Sequence, residues 1–95
     1  MPAYLISTIE VTDPAGYEEY RKLVAPVLAQ YGGKFLVRGG KVDYLEGQWQ
    51  PKRVVVVQFD SMERARAFSD APEYAAAKAI RQRTSISSVI VVEGV

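Results

Sequence analysis

The chain has 95 residues, 48% hydrophobic and 24% charged, with a net charge of +1, which suits one small globular domain over 1–95 and argues against disorder or nucleic-acid binding. It contains no Cys and no His, which removes disulfides, thiolate and Ser/His nucleophiles, Cys-rich zinc sites and the usual neutral-pH proton shuttle. Its Asp and Glu residues lack EF-hand spacing and no apolar run reaches a membrane span, so a soluble, cytoplasmic protein with no metal and no cofactor is expected.

Ala3 to Val11 alternates in the manner of a strand. A helix follows, with Asp13 as N-cap, Pro14 at its first position and Gly32-Gly33 as its stop. Tyr17, Tyr20, Val24, Val27, Leu28 and Tyr31 recur at steps of three and four and form its buried stripe. Pro26 lacks the N–H that would bond Lys22, so a kink or a division is expected there.

Lys34 to Arg38 reads as a second strand, and Gly39-Gly40 permits a bulge or bend before extended structure resumes over Lys41 to Glu46. A loop through Gly47 to Lys52 carries Trp49, which caps the sheet end or touches a partner. The basic residues of this stretch, Lys34, Arg38, Lys41, Lys52 and Arg53, are not interleaved with aromatic platforms in the way a single-strand binder would want and read as a solvated surface.

Arg53 to Phe59 contains Val54, Val55, Val56 and Val57 in one row. Successive strand residues point to opposite faces, so both faces of this strand are apolar and both need cover. Ser61 then caps a helix through Met62, Ala65 and Phe68, with a break and restart near Pro72. Tyr74, Ala77 and Ile80 continue the buried side to Arg83, and Ile86 to Glu93 is the last strand. Arg81 and Arg83 sit where a helix dipole favours cations.

The order strand, helix, strand, strand, helix, strand specifies an α+β, ferredoxin-like βαββαβ fold with a four-stranded antiparallel sheet, the first and third strands central. Both helical segments then cover one sheet face, holding Leu5, Ile9, Val55, Val57, Ile90 and Val92. The other face, with Ile6, Val54, Val56, Val89 and Val91, is left to a second copy of the chain, so the expected partner is the protein itself, as a homodimer.

Candidate ligand-binding residues come from the polar ends of that second face. Glu10, Arg38 and Gln58 are expected near one end of the enclosed space, where Arg38 holds a carboxylate ligand in a forked geometry; an Arg38–Glu10 ion pair that closes the sheet end is the simpler reading. Tyr17, Tyr20, Tyr31 and Tyr74 either present hydroxyls to a ligand between helix and sheet or pack as core, and Tyr74 is retained as a ligand-binding candidate. Pro2, with Met1 removed, would expose a secondary amine of the kind tautomerases use as a base.

Asp13-Pro14, the run from Tyr31-Gly32-Gly33-Lys34 to Arg38-Gly39-Gly40, Leu45-Glu46-Gly47 with Trp49 and Pro51, and Glu73-Tyr74 together resemble the "domain of unknown function thirteen-thirty" family across nearly the whole chain. The resemblance implies the dimeric α+β barrel superfamily, in which two ferredoxin-like units join their sheets. That superfamily includes cofactor-independent monooxygenases, muconolactone isomerases and haem-dependent enzymes; this chain lacks the His that the haem branch uses as proximal ligand. Three functions follow as expectations: a homodimer binding a small, anionic molecule, a cofactor-independent isomerase or monooxygenase, or a purely structural dimer.

Overall fold

A computed structural model describes residues 1–95. Strand β1 (Ala3–Val11) leads into helix α1 (Pro14–Gln30), strands β2 (Lys34–Arg38) and β3 (Arg53–Phe59), helices α2 (Met62–Ser69) and α3 (Pro72–Thr84), and strand β4 (Ser85–Glu93). The strands form one antiparallel sheet ordered β2-β3-β1-β4, so the valine strand is central, as its composition requires. This is the ferredoxin-like α+β fold. No helix is long and apolar enough to cross a membrane.

The helices begin and end where the local chemistry dictates. The Asp13 side chain accepts a hydrogen bond from the Gly16 N–H at 3.2 Å, and the Ser61 hydroxyl accepts from Arg64 N–H at 3.2 Å. Each such cap stabilises its helix by about 1 kcal/mol. The α2–α3 break falls at Asp70–Ala71, just before Pro72 at the first turn of α3. Pro26 does not divide α1, which runs unbroken from Pro14 to Gln30 with Pro26 on its solvent side. There the lost bond costs least, because water satisfies the freed Lys22 carbonyl.

All three helices lie on one face of the sheet, and the core forms between Leu5, Val57 and Phe59 below and Leu28, Phe68 and Tyr74 above. Val57 and Phe59 are each 1% exposed, and burial of such a side chain stabilises the fold by about 2 kcal/mol. The Tyr31 hydroxyl donates to the Glu73 carboxylate at 2.5 Å, tying the end of α1 to the start of α3.

Three local expectations are corrected. Residues 41–46 form no strand; with Gly40 and Gly47 at its ends this segment runs outside the ladder, closed by a hydrogen bond from the Tyr44 hydroxyl to the Pro51 carbonyl. The last strand begins at Ser85, and Val89 and Val91 pair with Ser7 and Leu5, which places them on the helix-covered face and turns Ile90 and Val92 outward. The Ile-Val-Val run is apolar on both sides and gives alternation no purchase. The third correction is a bulge between Phe35 and Val37, which brings Arg38 opposite Val55 and onto the helix-covered face.

The sheet's outer face carries Ile6, Val54 and Val56 at its centre, with Val37, Ile90 and Val92 at the flanks exposed by 40%, 56% and 45%. It is an apolar surface with no helix over it.

Candidate functional site

Between the helices and the sheet lies a cavity of about 420 Å³. Its floor is built from cross-strand rows fixed by the register. Phe35, Val57, Leu5 and Val91 form one row, Arg38, Val55, Ser7 and Val89 the next, and Arg53, Ile9 and Ser87 the last. One end of the floor is therefore apolar and the other is cationic. Ser7, 6% exposed, is a lone hydroxyl in the middle of an otherwise aliphatic strand face.

An aromatic wall runs above the floor. Tyr17 and Tyr20 have ring centroids 5.4 Å apart, Tyr20 meets Tyr74 edge-on at 6.4 Å, and Tyr74 lies 4.3 Å from Phe68, which in turn contacts Phe59 at 5.7 Å. Most of these contacts are tilted or edge-to-face, the arrangement that the ring quadrupoles favour.

Three guanidinium groups define the cationic end. Arg81 is 6% exposed and donates from Nε to the Tyr74 hydroxyl at 3.4 Å and from Nη1 to the Ser87 hydroxyl at 2.5 Å. Arg53 sits 6.0 Å from the Tyr17 ring centroid, and its Nε is sealed from solvent without a hydrogen-bond partner. Arg38 lies 4.3 Å over the Phe35 ring. None of them meets a carboxylate: the chain's ion pair joins Arg21 to Glu18 at 3.3 Å on the surface of α1. Arg21, Arg66 and Lys78 add further positive charge to the lining, against Asp70 alone.

The double glycine after β2 explains how Arg53 is seated. Gly39 has a φ of 71° and donates its N–H to the Val54 carbonyl at 2.9 Å. A Cβ at this position would overlap the Arg53 guanidinium. The left-handed turn and the missing side chain together open the space that the arginine occupies.

The hydroxyls of Tyr20 and Tyr74 share a hydrogen bond of 3.1 Å. Burial above all, with the neighbouring Tyr74 ring and that hydrogen bond, holds the Tyr20 phenol protonated far above its ordinary range. The polar groups at this end are thus donors almost throughout, arranged around a space lined by flat rings. Such an arrangement is chemically complementary to an acceptor-rich anion with an apolar body.

Of the residues singled out in the sequence, Arg38 and Tyr74 line this cavity together, while Glu10 and Gln58 do not. Gln58 pairs with Tyr4 and Glu10 with Ile86, both on the outer face, six positions apart along β1, or about 20 Å. Arg38 and Glu10 consequently form no ion pair. Tyr17 and Tyr20 line the cavity; Tyr31 is engaged with Glu73 instead. Pro2 lies outside it, its carbonyl accepting from Gly94 N–H at 2.7 Å, and Trp49 is 73% exposed in the loop before β3.

Arg53 and Arg81 also line the cavity, although in the sequence they read as a solvated cation and a dipole partner. A signal for Arg81 was present: Tyr74, Ala77, Arg81 and Thr84 are the buried positions of α3, at helical spacing.

No curated protein matches the chain in sequence. Among solved structures, a protein of unknown function from Rhodopseudomonas palustris superposes with a TM-score of 0.80 at 18% identity, covering 99% of this chain and 82% of that one. A dimeric ferredoxin-like protein of unknown function from Jannaschia sp. gives 0.76 at 10% identity, covering 99% of this chain and all of that one (100%). SnoaB, a cofactor-independent oxygenase from Streptomyces nogalater, gives 0.67 at 14% identity over 99% of this chain and 93% of its own. The chain belongs to the family described as Domain of unknown function (DUF1330), which it matches over residues 2–95.

Proposed function

We propose that this member of the DUF1330 family is one subunit of a homodimer, each subunit binding a small amphipathic organic anion between its helices and its sheet. Arg81 carries the ligand reading: a guanidinium that is 6% exposed and bonded only to hydroxyls. Burying such a charge without a counter-charge is costly, by several kcal/mol. The acidic oxygens of a ligand supply the acceptors and counter-charge that the protein does not, Arg38 and Arg53 add positive charge to that of Arg81, and the apolar row of Leu5, Val57 and Val91 receives the body.

The dimer reading rests on the outer sheet face, too apolar to stand in water unshielded. Joining two such faces in a barrel covers it, and ferredoxin-like relatives of this shape are described as dimeric. Thermal melting with benzoate, and with phosphate as a body-less control, tests the cavity: stabilisation by benzoate that exceeds that by phosphate and falls in both Arg81→Met and Arg53→Gln supports it. No stabilisation by any anion leaves the purely structural dimer.

A second reading, a cofactor-independent isomerase or monooxygenase, is favoured by the connected Tyr20, Tyr74 and Arg81 groups, which hold a proton inside the cavity. SnoaB, of similar fold, is a cofactor-independent oxygenase. Turnover of an enolisable acid that is lost in Tyr74→Phe, with binding retained, separates catalyst from binder.

A further inference from the structure

The cations at the polar end of the cavity fall into two groups whose neighbouring donors differ in kind. Arg53 and Ser87 stand on either side of Ile9 in one cross-strand row. With neighbouring strands about 4.8 Å apart, their backbones are about 10 Å apart. Arg81 is fastened to the Ser87 side by its bond to that hydroxyl, while Arg38 and Arg53 stand over β2 and β3. The two groups thus reach the cavity from opposite sides of β1.

The donors of the β4 side are also of a different kind. Two phenolic protons are present on Tyr20 and Tyr74, and their mutual hydrogen bond uses one. Because Arg81 Nε donates into the Tyr74 oxygen, the second proton is free to be given to something in the cavity. Beside it, Arg81 uses Nε and one Nη1 hydrogen on protein hydroxyls, leaving its remaining N–H groups without protein partners. A neutral O–H donor next to a fixed cation is the environment that stabilises an enolate or phenolate-type oxygen. Between the two groups the floor offers Ile9 and the Ser7 hydroxyl, and the wall offers Tyr17 and Tyr20 rings, 5.4 Å apart.

We infer that the ligand is a flat acid with two separated acidic oxygen functions, a carboxylate held by Arg38 and Arg53 and an enol or phenol oxygen held by the Tyr20–Tyr74 pair beside Arg81. This deepens the organic-anion reading and rests on it. The ligand oxygen takes up the free phenolic proton and the Arg81 N–H groups that have no protein partner, so an analogue lacking it binds more weakly.

Isothermal titration of the native protein with benzoate, 3-hydroxybenzoate, 4-hydroxybenzoate and phenol tests this. The better hydroxybenzoate is expected to bind about tenfold tighter than benzoate. Tyr74→Phe is expected to erase that ratio while keeping benzoate affinity, and Arg53→Gln to weaken all three acids alike while sparing phenol. Should Tyr74→Phe fail to fold by circular dichroism, Tyr20→Phe takes its place. Equal affinities for benzoate and both hydroxybenzoates, or a ratio that survives both tyrosine variants, overturn the inference while leaving the anion site standing. Absence of binding by all three acids overturns both.

Discussion

The Arg53 guanidinium rests in the space that a side chain on Gly39 would fill. Gly39→Ala is therefore expected to displace Arg53 and to strain a residue whose φ is 71°, at a cost of about 1–2 kcal/mol in urea unfolding. It should also weaken benzoate binding. Gly40→Ala is the control, since nothing lies within 4 Å of a Cβ there; equal losses from the two variants would refute the seating role of Gly39.

Ile90, 56% exposed at the outer face, is expected to lie in the dimer contact. Ile90→Lys places a charge where apolar side chains meet, which an interface tolerates poorly. Sedimentation velocity should then show a single-chain species with unchanged far-UV circular dichroism. A variant that sediments as the parent does would locate the contact elsewhere.

Arg81 is predicted to serve binding at the expense of the empty protein. Replacing a buried, uncompensated guanidinium by an apolar side chain of similar length is commonly neutral or stabilising. Arg81→Met should melt no lower than the parent without ligand, yet gain less stabilisation from benzoate. A large drop in melting temperature without ligand would show instead that the bonds to Tyr74 and Ser87 are chiefly structural.

Tyr20 makes stability depend on alkaline pH. Its phenol keeps its proton in the folded chain well beyond the value of about 10 at which it ionises when unfolded. Below that pH its contribution is complete; above it the unfolded state gains by losing the proton, and stability falls by up to about 1.4 kcal/mol per pH unit. Denaturant titrations at a series of pH values from about 9 upward should show a shallower decline for Tyr20→Phe. Parallel declines for the two proteins would mean that the phenol ionises equally in both states.

The fold was legible because its strongest signals are local and redundant. The valine row reads as a central strand apolar on both faces, Asp13-Pro14 and Ser61 mark helix starts, and Gly32-Gly33 marks a stop. The cavity lining was half legible. Arg38 and Tyr74 do line it, but alternation along Lys34 to Arg38 puts Arg38 on the outer face, and the bulge between Phe35 and Val37 moves every later residue of β2 across the sheet. No pattern in Lys34 to Arg38 encodes that extra residue, although Gly39-Gly40 signals irregularity close by. Arg53 and Arg81 escaped because a cation at a strand start or a helix end has an ordinary explanation. Only the three-dimensional row Arg53, Ile9, Ser87 joins them.

The valine strand separates the pocket from the oily outer side by no more than the thickness of a single peptide ribbon. Val55 and Val57 face the cavity while Val54 and Val56 face away, so neighbouring codons answer to unrelated demands. Substitutions at alternate positions of this ribbon therefore act on different surfaces, and the pocket floor and the outer side share a backbone but no side chains.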